Sequence, residues 1–137
     1  MKHIIDLHWL KNLTFDTEVD GHHLQLDAAI EDGGNDTGPR PKKLLLVALA
    51  GCTAMDIISI LSKMHVELDD FNVIVQGDLL EDHPKRYKKM HVIYQFKGKD
   101  LPYDKLGKAV KLSEEKYCGV RASFDGSIDL SSEIRVI

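Results

Sequence analysis

The chain has 137 residues, enough for one domain, and sets 18 Lys and Arg against 22 Asp and Glu for a formal net charge of −4. Its basic residues are scattered apart from Lys85-Arg86 and Lys88-Lys89, so the electrostatic footprint of a nucleic-acid binder is missing and neither DNA nor RNA is an expected partner. The N-terminus, MKHIIDLHWLKN, has no apolar run long enough for a secretion signal, which points to a reducing cytoplasm where two cysteines are free or redox-active rather than a structural staple.

Three short alternating segments open the chain: His3 to Trp9, Leu13 to Val19 and His22 to Asp27. They are separated by the turn dipeptides Lys11-Asn12 and Asp20-Gly21, and together they predict a three-stranded meander. Asp20-Gly21 is the strongest hairpin signal, because a type I′ turn needs positive φ at both central residues and these two tolerate it. Glu31 to Pro39, EDGGNDTGP, has no apolar content and reads as a loop.

The chain is organised around Pro41 to Met64, and above all Leu44 to Leu61, where Thr53, Asp56 and Ser59 are the clearly polar side chains. The run is too long for a strand and rich in Leu, Ala and Met, so it predicts a helix apolar almost all the way round, which must be wrapped by other structure. It approaches the roughly 18 residues of a membrane helix, but Asp56 lies inside it and would be costly in lipid, so no membrane is expected. About 110 remaining residues, mostly in sheet, are too few to cover such a helix, and a second copy is the natural cover. Cys52 sits mid-helix after the small residues Ala50-Gly51.

Phe71 to Gly77 and Lys89 to Phe96 predict a further hairpin across the charged stretch around Pro84. Leu101-Pro102-Tyr103 introduces a second helix, carrying Leu106, Ala109, Val110 and Leu112 at near-helical spacing, with Gly119 suited to the left-handed position that closes it. That places Cys118 at its C-terminal end. Ser127 to Ile137 is a final strand. The order predicts an α+β fold with a mainly antiparallel sheet and helices on one face. Residues 1–137 read as a single domain without repeats.

The segments from Gly38-Pro39-Arg40-Pro41 through Leu44 to Leu61, and Ser113-Glu114-Glu115-Lys116-Tyr117-Cys118-Gly119-Val120, resemble the two signature regions of the OsmC/Ohr family, which includes osmotically induced protein C and organic hydroperoxide resistance protein. The resemblance implies an intertwined homodimer with two long central helices packed inside a continuous sheet. It also implies thiol-dependent reduction of hydroperoxides, with Cys52 the peroxidatic and Cys118 the resolving residue, regenerated by a dithiol such as a lipoyl group and using no other cofactor. A thiolate is the nucleophile in such chemistry, and a sulfenic acid beside a second thiol condenses readily.

Two features depart from the family pattern. Peroxidase members carry an arginine in the N-terminal strands and a carboxylate early in the central helix. This chain has no arginine before Arg40, and Lys42 and Lys43 stand where the carboxylate falls. Asp56, one turn beyond Cys52, would raise the thiol pKa if near. Arg40 and Arg121 are then the candidate thiolate-activating cations. If neither acts, the alternative is a dimer without efficient peroxidase chemistry that binds a small apolar or electrophilic ligand at its interface. No His/Cys pair has zinc spacing, and His22-His23, adjacent on a strand, point to opposite faces, so no metal site is expected.

Overall fold

The computed structural model describes all residues from Met1 to Ile137, in two compact units, Met1–Leu45 and Leu46–Ile137. In the first unit, strands β1 (Leu7–Lys11), β2 (Thr14–Val19) and β3 (His22–Leu26) form the expected antiparallel meander. Asp20 and Gly21 take φ of 52° and 81°, the two positive values a type I′ turn needs. The first strand begins at Leu7 rather than His3, because only from Leu7 does β1 have a partner, pairing with Thr17 of β2.

The stretch after β3 is an organised loop. A 3₁₀ turn at Ile30–Asp32 is followed by chain that folds back on the Asp27 carboxylate. That carboxylate accepts from the Thr14 and Thr37 hydroxyls, at 3.0 and 2.6 Å, and from the backbone N–H groups of Ala28, Asn35 and Thr37. These donors, the Thr37 side chain foremost and against the opposing effect of burial, hold the Asp27 carboxyl well below the usual carboxylate range.

A 3₁₀ turn at Pro41–Lys43 leads into helix α1 (Leu44–Lys63). One chain buries a single stripe of it, Leu49, Thr53, Ile57 and Leu61, at the four-residue spacing of one helix face. Thr53 is tolerated there because its hydroxyl donates back to the Leu49 carbonyl at 2.9 Å. The single chain leaves its other faces uncovered, which fits the expectation that the chain is too short to wrap this helix alone: Val47 and Met55 are 63% and 76% exposed, and Leu45 and Ile58 also face outward. By length and composition alone Pro41–Lys63 could cross a membrane. Its buried stripe instead packs in a protein core.

That core belongs to the second unit. Strands β4 (Asp70–Leu79) and β5 (Tyr87–Lys97) form a long antiparallel hairpin. Met90, Val92, Tyr94 and Phe96 alternate along β5 and share a cluster with Leu49, Ile57 and Leu61 of α1 and with Leu106, Ala109 and Val110 of α2 (Tyr103–Leu112). Removing one of these large side chains typically costs about 2–5 kcal/mol. Strand β6 (Asp129–Val136) completes a second three-stranded sheet by pairing with β5 in parallel, the one exception to the antiparallel pattern. The crossover from β5 through the helices is long enough to permit it.

After α2 the chain does not simply stop as a capped helix. It widens into a π turn at Ser113–Tyr117, extends at Cys118, and starts a short helix α3 (Gly119–Phe124). Gly119 is not among the positive-φ glycines, so its expected role as a left-handed cap is corrected: it is the first residue of a new helix.

Candidate active site

Cys52 and Asp56 are four residues apart on α1 and therefore share one face of it. Cys52 is half-buried, whereas Cys118 is buried. The π turn brings the second cysteine to the first. Its closing hydrogen bond runs from the Cys118 N–H to the Ser113 carbonyl at 2.8 Å, while the Ser113 hydroxyl donates to Asp56 Oδ2 at 2.9 Å. One residue thus fixes both the loop that carries Cys118 and the carboxylate on the facing helix. The result is a three-atom cluster: Cys52 Sγ, Cys118 Sγ and an Asp56 carboxylate oxygen all lie within 4.8 Å of one another. Both thiols are free.

The close approach does not depend on the small residues beside the cysteines. A Cβ added to Gly51 or Gly119 would meet nothing within 4 Å in the chain.

Cys118 caps α3, its Sγ accepting the Arg121 backbone N–H at 3.3 Å. Burial, reinforced by the neighbouring Cys52 sulfur, outweighs that hydrogen bond and pushes the Cys118 thiol up to about 11. It is protonated at neutral pH. The Arg121 guanidinium points elsewhere, donating to Glu114 Oε2 at 3.2 Å in a pair whose side chains are 20% and 15% exposed. The same carboxylate accepts from the Tyr94 hydroxyl and from Ser132 Oγ, each at 3.2 Å. Burial first, then the Glu114 charge, raise the Tyr94 phenol well above its ordinary value, which keeps it a donor. Glu114 therefore ties the π turn to β5, β6 and α3 at once. Arg40 belongs to the first unit, where its guanidinium is held by Asp36 and the Gly38 carbonyl.

Ser113, Glu114, Tyr94 and Ser132 were not singled out from the sequence. The i, i+4 spacing of Cys52 and Asp56 was visible there, but the reach of Ser113 to Cys118 passes through a π turn, for which the sequence offers no pattern.

The OsmC-like protein family model matches residues 33–133, which include every residue of this cluster. The chain belongs to the OsmC-like family. Protein YhfA of Escherichia coli (strain K12) is 29% identical to this OsmC-like chain over 130 residues, 94% of each. A hypothetical protein from Aquifex aeolicus VF5 superposes with a TM-score of 0.84 at 31% identity, covering 100% of this chain and 99% of its own. The organic hydroperoxide resistance protein OsmC from Legionella pneumophila shares the fold, with a TM-score of 0.69 at 21% identity and coverage of 99% and 98%.

Proposed function

We propose that this OsmC-like protein reduces organic hydroperoxides through Cys52 and Cys118, as a cytoplasmic homodimer of single-domain chains. The observation that carries the reading is the approach of the two sulfurs, within 4.8 Å of each other and of Asp56. To form a disulfide the sulfurs must close from that approach to a bond of about 2.05 Å. The name of the Legionella relative points the same way.

Cys52, the more exposed thiol, attacks the distal oxygen of the hydroperoxide as its thiolate. The O–O bond breaks, the alkoxide takes a proton to leave as alcohol, and Cys52 becomes a sulfenic acid. The Cys118 thiol then attacks that sulfur, forming the disulfide and releasing water. A dithiol, a lipoyl group being one such donor, returns both thiols and is itself oxidised to its cyclic disulfide. Arg40 and Arg121 remain the candidate cations for thiolate activation. Each has an acidic partner, Asp36 or Glu114, so an activating role requires that replacing one by Met slow alkylation of Cys52 at neutral pH.

The outward apolar face of α1, with Val47, Met55 and Ile58, supports pairing with a second copy. It also supports the second reading, a dimer that binds a small apolar or electrophilic ligand at that face with its thiols idle.

One experiment separates the two readings. Reduced protein given one equivalent of cumene hydroperoxide should yield an intrachain Cys52–Cys118 disulfide by mass spectrometry, Cys118→Ser should accumulate sulfenic acid at Cys52, and Cys52→Ser should not react. Wild-type Cys52 that stays reduced under conditions that oxidise an exposed model thiol would leave the ligand-binding reading.

A further inference from the structure

The geometry points to Asp56 as the base that takes the proton from Cys118 as that thiol attacks the sulfur of Cys52. The inference rests on the disulfide-forming step of the function proposed above, but not on peroxide as the oxidant. The resemblance to peroxidase members places a carboxylate early in the central helix, where this chain has Lys42 and Lys43. Asp56 instead lies one turn beyond the first cysteine.

Three observations converge on this carboxylate. Its oxygen shares a 4.8 Å cluster with both sulfurs, so it stands close to the Cys118 thiol as well as to the sulfur that thiol attacks. Its other demand is met by the Ser113 hydroxyl on Oδ2, which fixes the carboxylate's orientation. Cys118 is buried, 3% exposed, so bulk water is a poor acceptor for its proton. The burial that raises the Cys118 thiol makes an adjacent base useful, since an unassisted attack would draw on a thiolate that is scarce at neutral pH.

The other charged and titratable groups around this point do not fill the role. Glu114 and Arg121 hold each other, with Tyr94 on the same carboxylate. Lys63 and Tyr117 line a cavity of about 140 Å³ beside Asp56 together with Ser59 and Ile60, and neither side chain is a carboxylate that could take the proton as Asp56 does. That cavity gives Asp56 a route to solvent.

In the catalytic direction the balance is closed. The Cys118 S–H bond breaks and its proton passes to Asp56, the sulfur–sulfur bond forms, and the S–OH bond of the Cys52 sulfenic acid breaks. Asp56 then returns the proton to the departing hydroxide, which leaves as water.

The test isolates the base from the peroxide. The more exposed Cys52 of reduced, chelator-treated protein is charged with 5-thio-2-nitrobenzoate as a mixed disulfide. Attack by Cys118 then releases the chromophore as its thiolate, a leaving group that needs no proton. Asp56→Asn should slow the release by about a hundredfold or more. Its rate should climb about tenfold per pH unit toward the Cys118 pKa, while wild type stays nearly flat over roughly pH 6 to 8. Added formate should restore part of the rate to Asp56→Ala, whose shortened side chain leaves room for it beside the cavity, and Ser113→Ala should show a weaker version of the defect.

Asp56→Asn releasing chromophore at the wild-type rate overturns the inference. So does a slow Asp56→Asn whose pH profile matches wild type together with an Asp56→Ala that formate does not accelerate, because that pattern belongs to a merely structural role. Peroxide inertness combined with the expected release kinetics would instead sink the peroxidase reading and leave Asp56 in place.

Discussion

Each of the two units contains a carboxylate that collects hydrogen bonds, and the two carboxylates do different work. Asp27 takes five donors, three of them backbone N–H groups of Ala28, Asn35 and Thr37, all within ten residues of it in sequence. Such a centre folds its own loop. Glu114 takes three side-chain donors, Tyr94 on β5, Arg121 on α3 and Ser132 on β6, and so joins distant elements. It anchors the π turn that delivers Cys118, and one of its partners is a cation. A local carboxylate shapes chain, whereas a long-range one sets the position of a reactive group.

The sharpest way to break this comparison is to remove the long-range centre. Glu114→Ala leaves a largely buried guanidinium without its partner and two hydroxyls without an acceptor, which should cost on the order of 2–3 kcal/mol in urea unfolding. It should also slow formation of the Cys52–Cys118 disulfide, because the turn carrying Cys118 loses its anchor. Full retention of that rate beside the loss of stability would mean that Glu114 supports the core without positioning the thiol.

The same distinction explains what could be read from the sequence. The Asp20-Gly21 turn, the length of α1 and the β4–β5 hairpin were legible because each is encoded by neighbours in sequence. The parallel pairing of β6 was not, since strand direction depends on where a crossover returns. Which stripe of α1 its own chain would bury was not legible, because a helix apolar almost all the way round records what must be covered and not which chain covers it. At the site, the pairing of Cys52 with Cys118 came from the resemblance to a known family, and Asp56 was weighed only as a possible neighbour. Ser113 and Glu114 stayed hidden because a π turn shifts side chains off the 3.6-residue spacing that a sequence reader counts. The loop at Asp27 was legible as a loop but not as an ordered one, since its anchor lies before the polar stretch.

A smaller effect should follow from Asp27→Asn, and it should be confined to the first unit. The folded-state pKa of Asp27 lies below the unfolded value of about 3.9, so the ionised carboxylate contributes stability above that value, and the contribution is lost as pH falls through the folded pKa. Amide exchange at Ala28, Asn35 and Thr37 should therefore quicken, relative to the intrinsic rate, as the wild-type protein is acidified below about pH 4. In the variant, protection should be lower at neutral pH and lack that acid dependence, because the amide does not titrate and turns a donor toward groups that are themselves donors. An unchanged acid profile would remove Asp27 as the organising charge of the loop.

The smallest effects come from taking one neutral donor from each centre, and they test the comparison most directly because the chemistry removed is the same. Thr14→Val keeps shape and deletes one hydroxyl at Asp27, while Ser132→Ala deletes one at Glu114. A neutral hydrogen bond is modest in net worth, so either change should lower the melting temperature by about 4 °C or less. Their consequences for the thiols should still diverge. Thr14→Val leaves four donors on Asp27 and touches no residue of the cysteine cluster, so release of the chromophore from Cys52 should proceed at the wild-type rate. Ser132→Ala leaves Glu114 with Tyr94 and Arg121 alone, loosening the turn at one of its three anchors, and the same release should slow by a few-fold. Equal release rates in the two variants at equal loss of stability would erase the distinction between the carboxylates, reducing Glu114 to a structural centre of the same kind as Asp27.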